Sequence, residues 1–290
     1  MLVTTFSLEQ LGTHFMRPLS GKVAIVTGTS APRGIGRAIA MRLAENGASV
    51  VATDMAGYLH IDDDIYKKDE LLNALVTDIR NMGNTAMSLK LDITDANDVQ
   101  ACISATKQEF GRIDILVNNA GSLAGSDNFL STTCDQWETS FRVNILGPMM
   151  LSQAVIPEMR KVGGGRIINI GSTRSLGVDA GFGAYTAMKH GLVGMTKTIA
   201  AEFGADGILC NTVCPGYIMT DMHAAANTRL AKENEISVEE MQKRRYANVA
   251  VRDAGRPEDV AEAVAYLAGP NSTYVTGINL PVSGGVPLGI

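Results

Sequence analysis

The sequence predicts an α/β fold: a single domain on a doubly wound parallel sheet of about seven strands, with helices on both faces. Three observations predict it. Strand-like and helix-like segments alternate almost throughout the 290 residues. The first of them, residues 22–27 (KVAIVT), is a short apolar run dense in β-branched residues and followed by glycine, which reads as a buried strand. No linker-like stretch, low-complexity run or internal repeat divides the chain.

Each element follows from its own pattern. Residues 34–46 (GIGRAIAMRLAEN) carry apolar positions at helical spacing and stop at Gly47, a natural helix end. Residues 48–54 (ASVVATD) form the second strand. The rhythm breaks over 55–66, and helix resumes over about 67–82, closed by Gly83. A third strand covers 85–92, helix 95–110 follows, and the fourth strand is 113–118. One long helix is expected over 135–161. The fifth strand is 165–172 (GRIINIGS), helix 184–203 leads into strand 208–213, and helix 257–267 precedes the last strand, 278–282. The polar stretch 219–254 reads as a lid over a binding site. Strands joined through helices pair in parallel, and right-handed crossovers wind them both ways from the middle.

Composition narrows the function classes. Lys and Arg number 25 against 30 Asp and Glu, giving net −5. That balance offers no electrostatic reason to bind nucleic acid, and 5% aromatic residues make a base-stacking platform a poor expectation. The four cysteines do not make a disulfide scaffold; Cys210 and Cys214 read as small core residues. His14, His60, His190 and His223 lack metal-ligand spacing, so no metal is expected. No apolar stretch is long enough to span a bilayer. Residues 1–20 lack the features of a signal peptide and read as an arm before a domain over 21–290. The expected location is the cytoplasm.

The first candidate site is a nucleotide cradle. Strand one ends at Thr27-Gly28, five residues follow, and Gly34-Ile35-Gly36 opens the helix. Glycines there let the backbone turn sharply and approach a pyrophosphate, which meets the free N–H groups of the helix start. Asp54, at the end of the second strand, is placed to accept hydrogen bonds from both ribose hydroxyls of NAD and to repel the 2′-phosphate of NADP. Arg33 is a nearby cation able to hold a phosphate. These residues favour NAD over NADP.

With the cradle placed, residues 20–285 resemble the short-chain dehydrogenase/reductase family. Asn118-Asn119-Ala120-Gly121 is similar to its NNAG motif, Tyr185-Thr186-Ala187-Met188-Lys189 to YxxxK, and Pro215-Gly216 to its PG motif. Asp92-Ile93 matches the pair beside adenine, Ser172 the catalytic serine and Asn144 the catalytic asparagine. The resemblance implies a Rossmann-type fold and cofactor contacts from Gly28, Asn118, Ala120, Gly121, Ile218 and Thr220. It also implies a dimer or tetramer built through the helices around 135–161 and 184–203.

Chemistry fits those residue types. Four residues along a helix put Tyr185 and Lys189 on one face. A tyrosine titrates near ~10, and a neighbouring ammonium lowers that value, so that the phenol can exchange a proton with an alcohol near neutral pH. Ser172 would hold the substrate oxygen. The resemblance further implies that Lys189 reaches the nicotinamide ribose and that Asn144 holds a water in a proton relay. The expected function is hydride transfer between NAD and a secondary alcohol of a small polar substrate, such as a sugar, polyol or hydroxy acid. An NADPH-dependent carbonyl or 3-oxoacyl reductase is the alternative, and a non-catalytic NAD-binding sensor is the third reading.

Three departures from the family pattern stand out. The glycine loop is two residues longer than usual. Residues 57–68 lengthen the connection after Asp54, as a solvated loop or as a flap over the adenosine half. Ser283 stands where aspartate is common. Substrate contacts are expected from 122–128, 173–179 and 219–254, with Arg174 as the anion candidate and Lys243-Arg244-Arg245 as a solvated basic face.

Overall fold

The computed structural model describes residues 17–61 and 64–287; of the expected N-terminal arm, residues 1–16 lie outside that range. Arg17 to Ser20 lie against the fold. Leu19 is buried, and its N–H donates to Asn46 O at 2.8 Å.

Seven parallel strands lie side by side. In chain order they are β1 (Val23–Thr27), β2 (Ser49–Asp54), β5 (Ala86–Lys90), β6 (Ile115–Asn118), β7 (Gly165–Ile170), β8 (Ile208–Pro215) and β9 (Asn279–Val282). Their spatial order is β5-β2-β1-β6-β7-β8-β9. The chain winds outward from β1 to β5, returns to β6, and winds the other way, so the switch point lies between β1 and β6. A crevice opens there at the carboxyl ends of the strands.

Side-chain alternation along β1 explains the two cores. Ala24 and Val26 face one apolar cluster, which includes residues of α1 (Ile35–Glu45), α2 (Lys68–Asn81) and α9 (Pro257–Ala268). Val23 and Ile25 face the other, with residues of α3 (Ala96–Phe110), α5 (Gly147–Lys161) and α6 (Gly183–Phe203). Each strand is covered on both sides, which is why the strands read as continuous apolar runs. The Asp95 carboxylate caps α3 by accepting from Asn97 N at 2.7 Å, and Gly111 ends that helix at φ +73°.

Three expected elements come out differently. The connection after Asp54 is a two-stranded hairpin, β3 (Tyr58–Ile61) with β4 (Asp64–Lys67), apart from the main sheet and mostly exposed. Its short strands face solvent on both sides, so they lack the apolar alternation that announces a strand. The single helix expected over 135–161 is α4 (Cys134–Phe141) and α5, joined by a π-helical turn over Arg142–Leu146. The stretch 219–254 folds as α7 (Asp221–Glu233) and α8 (Val238–Arg245). Ala231, Met241, Tyr246 and Val249 bury its inner side.

Candidate active site

The glycine cradle closes without room for side chains. A Cβ added at Gly36 would lie 2.2 Å from Gly28 O and 2.4 Å from Asn119 Nδ2, and one at Gly34 would lie 2.9 Å from Ala31 O. Gly28 itself stands at φ +71°, where a side chain strains the backbone. Asn119 ties the loop down by donating to Thr27 O at 2.8 Å and Gly28 O at 3.0 Å. Thr27 Oγ1 accepts from the N–H groups of Asn119 and Ala120, each at 3.0 Å. Asn119 and Thr27 were visible in the sequence only as motif letters; their task of joining β1 to β6 is a tertiary fact.

Helix α1 begins at Ile35 with no side chain capping it and no acidic residue in its first turn. Uncapped N–H groups behind a loop whose glycines leave no side chain at Gly28, Gly34 and Gly36 fit the pyrophosphate of a dinucleotide. The Arg33 N–H donates to Asp221 Oδ2 at 3.1 Å and its guanidinium pairs with Asp221 Oδ1. This pair ties the glycine loop to the first turn of α7.

Asp54 lies at the end of β2, already engaged. Its Oδ2 accepts from Ser30 N at 3.1 Å and Ser30 Oγ at 2.7 Å, and its Oδ1 accepts from Met55 N at 2.9 Å. The Lys68 ammonium donates to the same Oδ1 at 3.0 Å. Lys68 is the first residue of α2, placed there by the hairpin, whose Gly57 O accepts from Lys68 N at 3.0 Å. The sequence reading treated 57–68 as one connection and did not foresee this pair.

Asp92 and Ile93 follow β5. Asp92 Oδ1 accepts from Thr94 N and Oγ1, at 2.9 and 2.8 Å, and Ile93 is buried against Gly147. The Asn118 side chain points into the core, donating to Asn169 Oδ1 at 2.8 Å, while its own Oδ1 is buried without a partner among the described residues. That leaves the Asn118 backbone as the group able to meet a cofactor.

Asn144, Ser172, Tyr185 and Lys189 come together below Gly121. A Cβ at Gly121 would lie 3.3 Å from Asn144 Oδ1 and 3.6 Å from Lys189 Nζ. Asn144 sits inside the π-helical turn and is fully buried. It donates to Ser122 O at 2.9 Å and accepts from Ser122 N at 3.2 Å. Such a bulge re-aims a helical side chain, and bulges are frequent at functional sites. Ser172 follows β7; its hydroxyl accepts from Arg174 N at 3.2 Å and hydrogen-bonds Tyr185. Lys189 is buried on α6, one turn beyond Tyr185, with its Nζ donating to Ile170 O at 2.8 Å and lying 5.5 Å from the Tyr185 ring centre.

The electrostatics correct one expectation. Burial pushes the Tyr185 phenol above its ordinary value, and the opposing influences come from Ser172 and Arg174 rather than from Lys189. Burial pulls Lys189 down from 10.5 to about 8. The phenol is thus held protonated at neutral pH, while the lysine titrates close to it.

Pro215 ends β8, and Gly216 N donates to Val282 O at 3.0 Å. A Cβ on Gly216 would meet Ser283 at 2.9 Å. Ile218 is buried and bridges to Gly255, and the Thr220 hydroxyl caps α7 by accepting from His223 N at 3.2 Å. Beyond them, Tyr217, His223 and Tyr246 form an aromatic cluster with ring centres 5.6–5.9 Å apart. His223 Nε2 lies 2.8 Å from Tyr246 Oη. Lys243 and Arg244 are exposed as expected, but Arg245 turns inward.

A doubly wound sheet with a glycine-lined cradle at its switch point and a Ser–Tyr–Lys cluster beside it defines a nicotinamide-dependent oxidoreductase class. Residues 28–287 match the family model described as enoyl-(acyl carrier protein) reductase. The 3-oxoacyl-(acyl-carrier-protein) reductase FabG of Vibrio cholerae is 38% identical over 271 residues, spanning 92% of this chain and 98% of its own. The short-chain reductase protein NovJ of Streptomyces niveus is also 38% identical, over 91% of this chain and 94% of its own. Among solved structures, actinorhodin polyketide ketoreductase with NADPH superposes with TM-score 0.82 at 33% identity, covering 91% and 97% of the two chains. The chain belongs to the short-chain dehydrogenase/reductase family.

Proposed function

We propose that the protein reduces the ketone of a 3-oxoacyl-type substrate to a secondary alcohol with NADPH. This is the alternative of the sequence reading, now placed ahead of NAD-dependent oxidation of a sugar or polyol. One observation carries the cofactor choice: the Asp54 carboxylate, expected to exclude a 2′-phosphate, is neutralised by the Lys68 ammonium at 3.0 Å. A 2′-phosphate arriving there meets a cation as well as an anion. The NADPH in the actinorhodin ketoreductase structure and the 3-oxoacyl substrate in the name of the Vibrio relative support the same reading.

The dinucleotide, when bound, supplies the hydride. Gly28, Gly34, Ile35 and Gly36 leave space and backbone donors for its pyrophosphate, and Ala120 and Gly121 line the way toward the nicotinamide end. Ser172 holds the substrate oxygen beside Tyr185. Tyr185, kept protonated by burial, donates its proton to that oxygen as the carbonyl carbon is reduced. Lys189, titrating near 8, returns a proton to Tyr185 together with water held at Asn144. A phenol held in its acid form suits the reductive direction.

The test follows loss of reduced-cofactor absorbance with 3-oxoacyl thioesters and NADPH or NADH. Wild type is expected to prefer NADPH, and Lys68→Ala to lower that preference about tenfold, the worth of one charge-assisted contact. Tyr185→Phe is expected to abolish turnover while cofactor binding persists. Turnover retained in Tyr185→Phe would sink the mechanism, and an NADH preference in wild type would sink the cofactor assignment.

A further inference from the structure

Two guanidinium groups, Arg174 and Arg245, lie close enough to repel one another, and the first of them also acts on Tyr185. Arg174 lies two residues after Ser172, with its guanidinium 4.0 Å from the Phe182 ring centre, and Phe182 lies edge-on to Tyr185 at 6.4 Å. It pairs with Asp179, a half-exposed carboxylate, and its Nε is buried without a partner. Arg245 comes from the opposite side, at the end of α8. It lies 5.3 Å from the Tyr217 ring centre and hydrogen-bonds Asn227 Oδ1. Among the described residues it has no carboxylate partner.

The two cations repel one another across the gap, and Arg229 adds to the repulsion on Arg245. The nearby acidic groups do not offset this: Asp179 serves Arg174, Glu233 serves Arg229, and Asp253 acts on Tyr246. A half-buried arginine without a counter-ion, within repulsive reach of a second arginine with an idle N–H, is incomplete until an anion arrives. Each guanidinium lies against an aromatic ring that fixes it, Phe182 for Arg174 and Tyr217 for Arg245, so little freedom is lost when an oxyanion is gripped.

We infer that Arg245 and Arg174 form an oxyanion-recognition site for the substrate, so that the ketone reduced at Tyr185 carries a carboxylate or phosphate group. The inference rests on the reductase reading above and narrows its substrate class. Arg245 acts in specificity: it grips the anion from the lid and draws α8 over the bound molecule.

The test compares 3-oxobutanoate, its methyl ester, its N-acetylcysteamine thioester and its coenzyme A thioester in wild type, Arg245→Gln and Arg245→Lys. Thermal unfolding is measured as a check on folding. In wild type, kcat/KM for one anionic form should exceed that for the neutral forms by about tenfold or more, the range of a charged hydrogen bond. Arg245→Gln should bring that ratio near one, chiefly through KM, and Arg245→Lys should restore part of it. Preference for the free acid assigns the anion to a carboxylate on the acyl group; preference for the coenzyme A form assigns it to a phosphate on the carrier. Equal use of all four, or a ratio unmoved in Arg245→Gln, overturns the inference. Failure to reduce any ketone would refute the reductase reading instead. Calorimetric binding of the same anions to wild type and Arg245→Gln then decides the inference alone: weaker binding in the variant supports it, and equal binding overturns it.

Discussion

Lys189 sits where a soluble protein rarely puts an ammonium: buried, with one backbone carbonyl as its hydrogen-bond partner. Burial disfavours its charged form, which is why it titrates near 8. The folded pKa is depressed below the unfolded one, so this contribution to stability is present in full above about 10.5 and is lost as pH falls through about 8. Replacing the residue removes the penalty. Lys189→Met is expected to raise stability at pH 7 by about 1–3 kcal/mol while abolishing turnover; denaturant unfolding at pH 7 and pH 10 checks it, since the gain should shrink at the higher pH. A loss of stability at pH 7 would mean that the bond to Ile170 O outweighs desolvation. At this scale the sequence was informative: Ser172, Tyr185 and Lys189 were legible from spacing and resemblance. The inward turns of Asn118 and Arg245 and the pairing of Arg33 with Asp221 were not, because each depends on a partner 18 or more residues away.

At the scale of elements, the glycine loop and the helices α7 and α8 expected to form a lid each rest on a few close contacts. In the loop, Gly36 faces Gly28 O so closely that any side chain forces the two apart. Gly36→Ala is expected to cost about 1–3 kcal/mol of stability and to weaken dinucleotide binding by at least tenfold. Thermal unfolding and fluorescence titration with NADPH read both effects, and unchanged binding would place the pyrophosphate elsewhere. In the lid, burial pulls His223 down to about 4, so it stays neutral against Tyr246. Its stabilising contribution is present above about 6.5 and lost as pH falls toward 4. Hydrogen exchange over α7 and α8 should therefore speed up between pH 6.5 and 4, beyond the intrinsic pH effect, by the equivalent of about 1–2 kcal/mol. His223→Gln should abolish that excess; an excess that persists would assign the acid sensitivity to other groups. The lid was expected from polarity alone. Its two helices stayed hidden because their apolar positions are few and serve one buried face.

Helices α5 and α6 flank a cavity of about 350 Å³ lined by Met149, Ile156, Met195 and Phe203. We propose, from family resemblance, that this face joins copies of the chain into a dimer or tetramer. Gly194 lies exposed on α6, and an added Cβ there meets nothing within 4 Å among the described residues. Gly194→Arg should leave the single chain folded, even favouring helix, while splitting the assembly. Light scattering should give a multiple of 30.7 kDa for wild type and a smaller mass for the variant; equal masses would move the interface to another face. No helix among the described residues is long and apolar enough to cross a membrane.

The amino-acid sequence by itself determined the alternation of strands and helices, the glycine cradle, the Tyr185–Lys189 pair and the family. Those signals are local: apolar periodicity, glycine placement and four-residue spacing all act within a few turns of chain. Tertiary structure alone decided that Lys68 neutralises Asp54, that the long helix carries a π-helical turn at Asn144, and that Arg245 turns inward against Tyr217 and Asn227. Each of these joins groups from separate elements, and electrostatic and hydrogen-bond energies depend on the distance and burial that packing sets rather than on position along the chain.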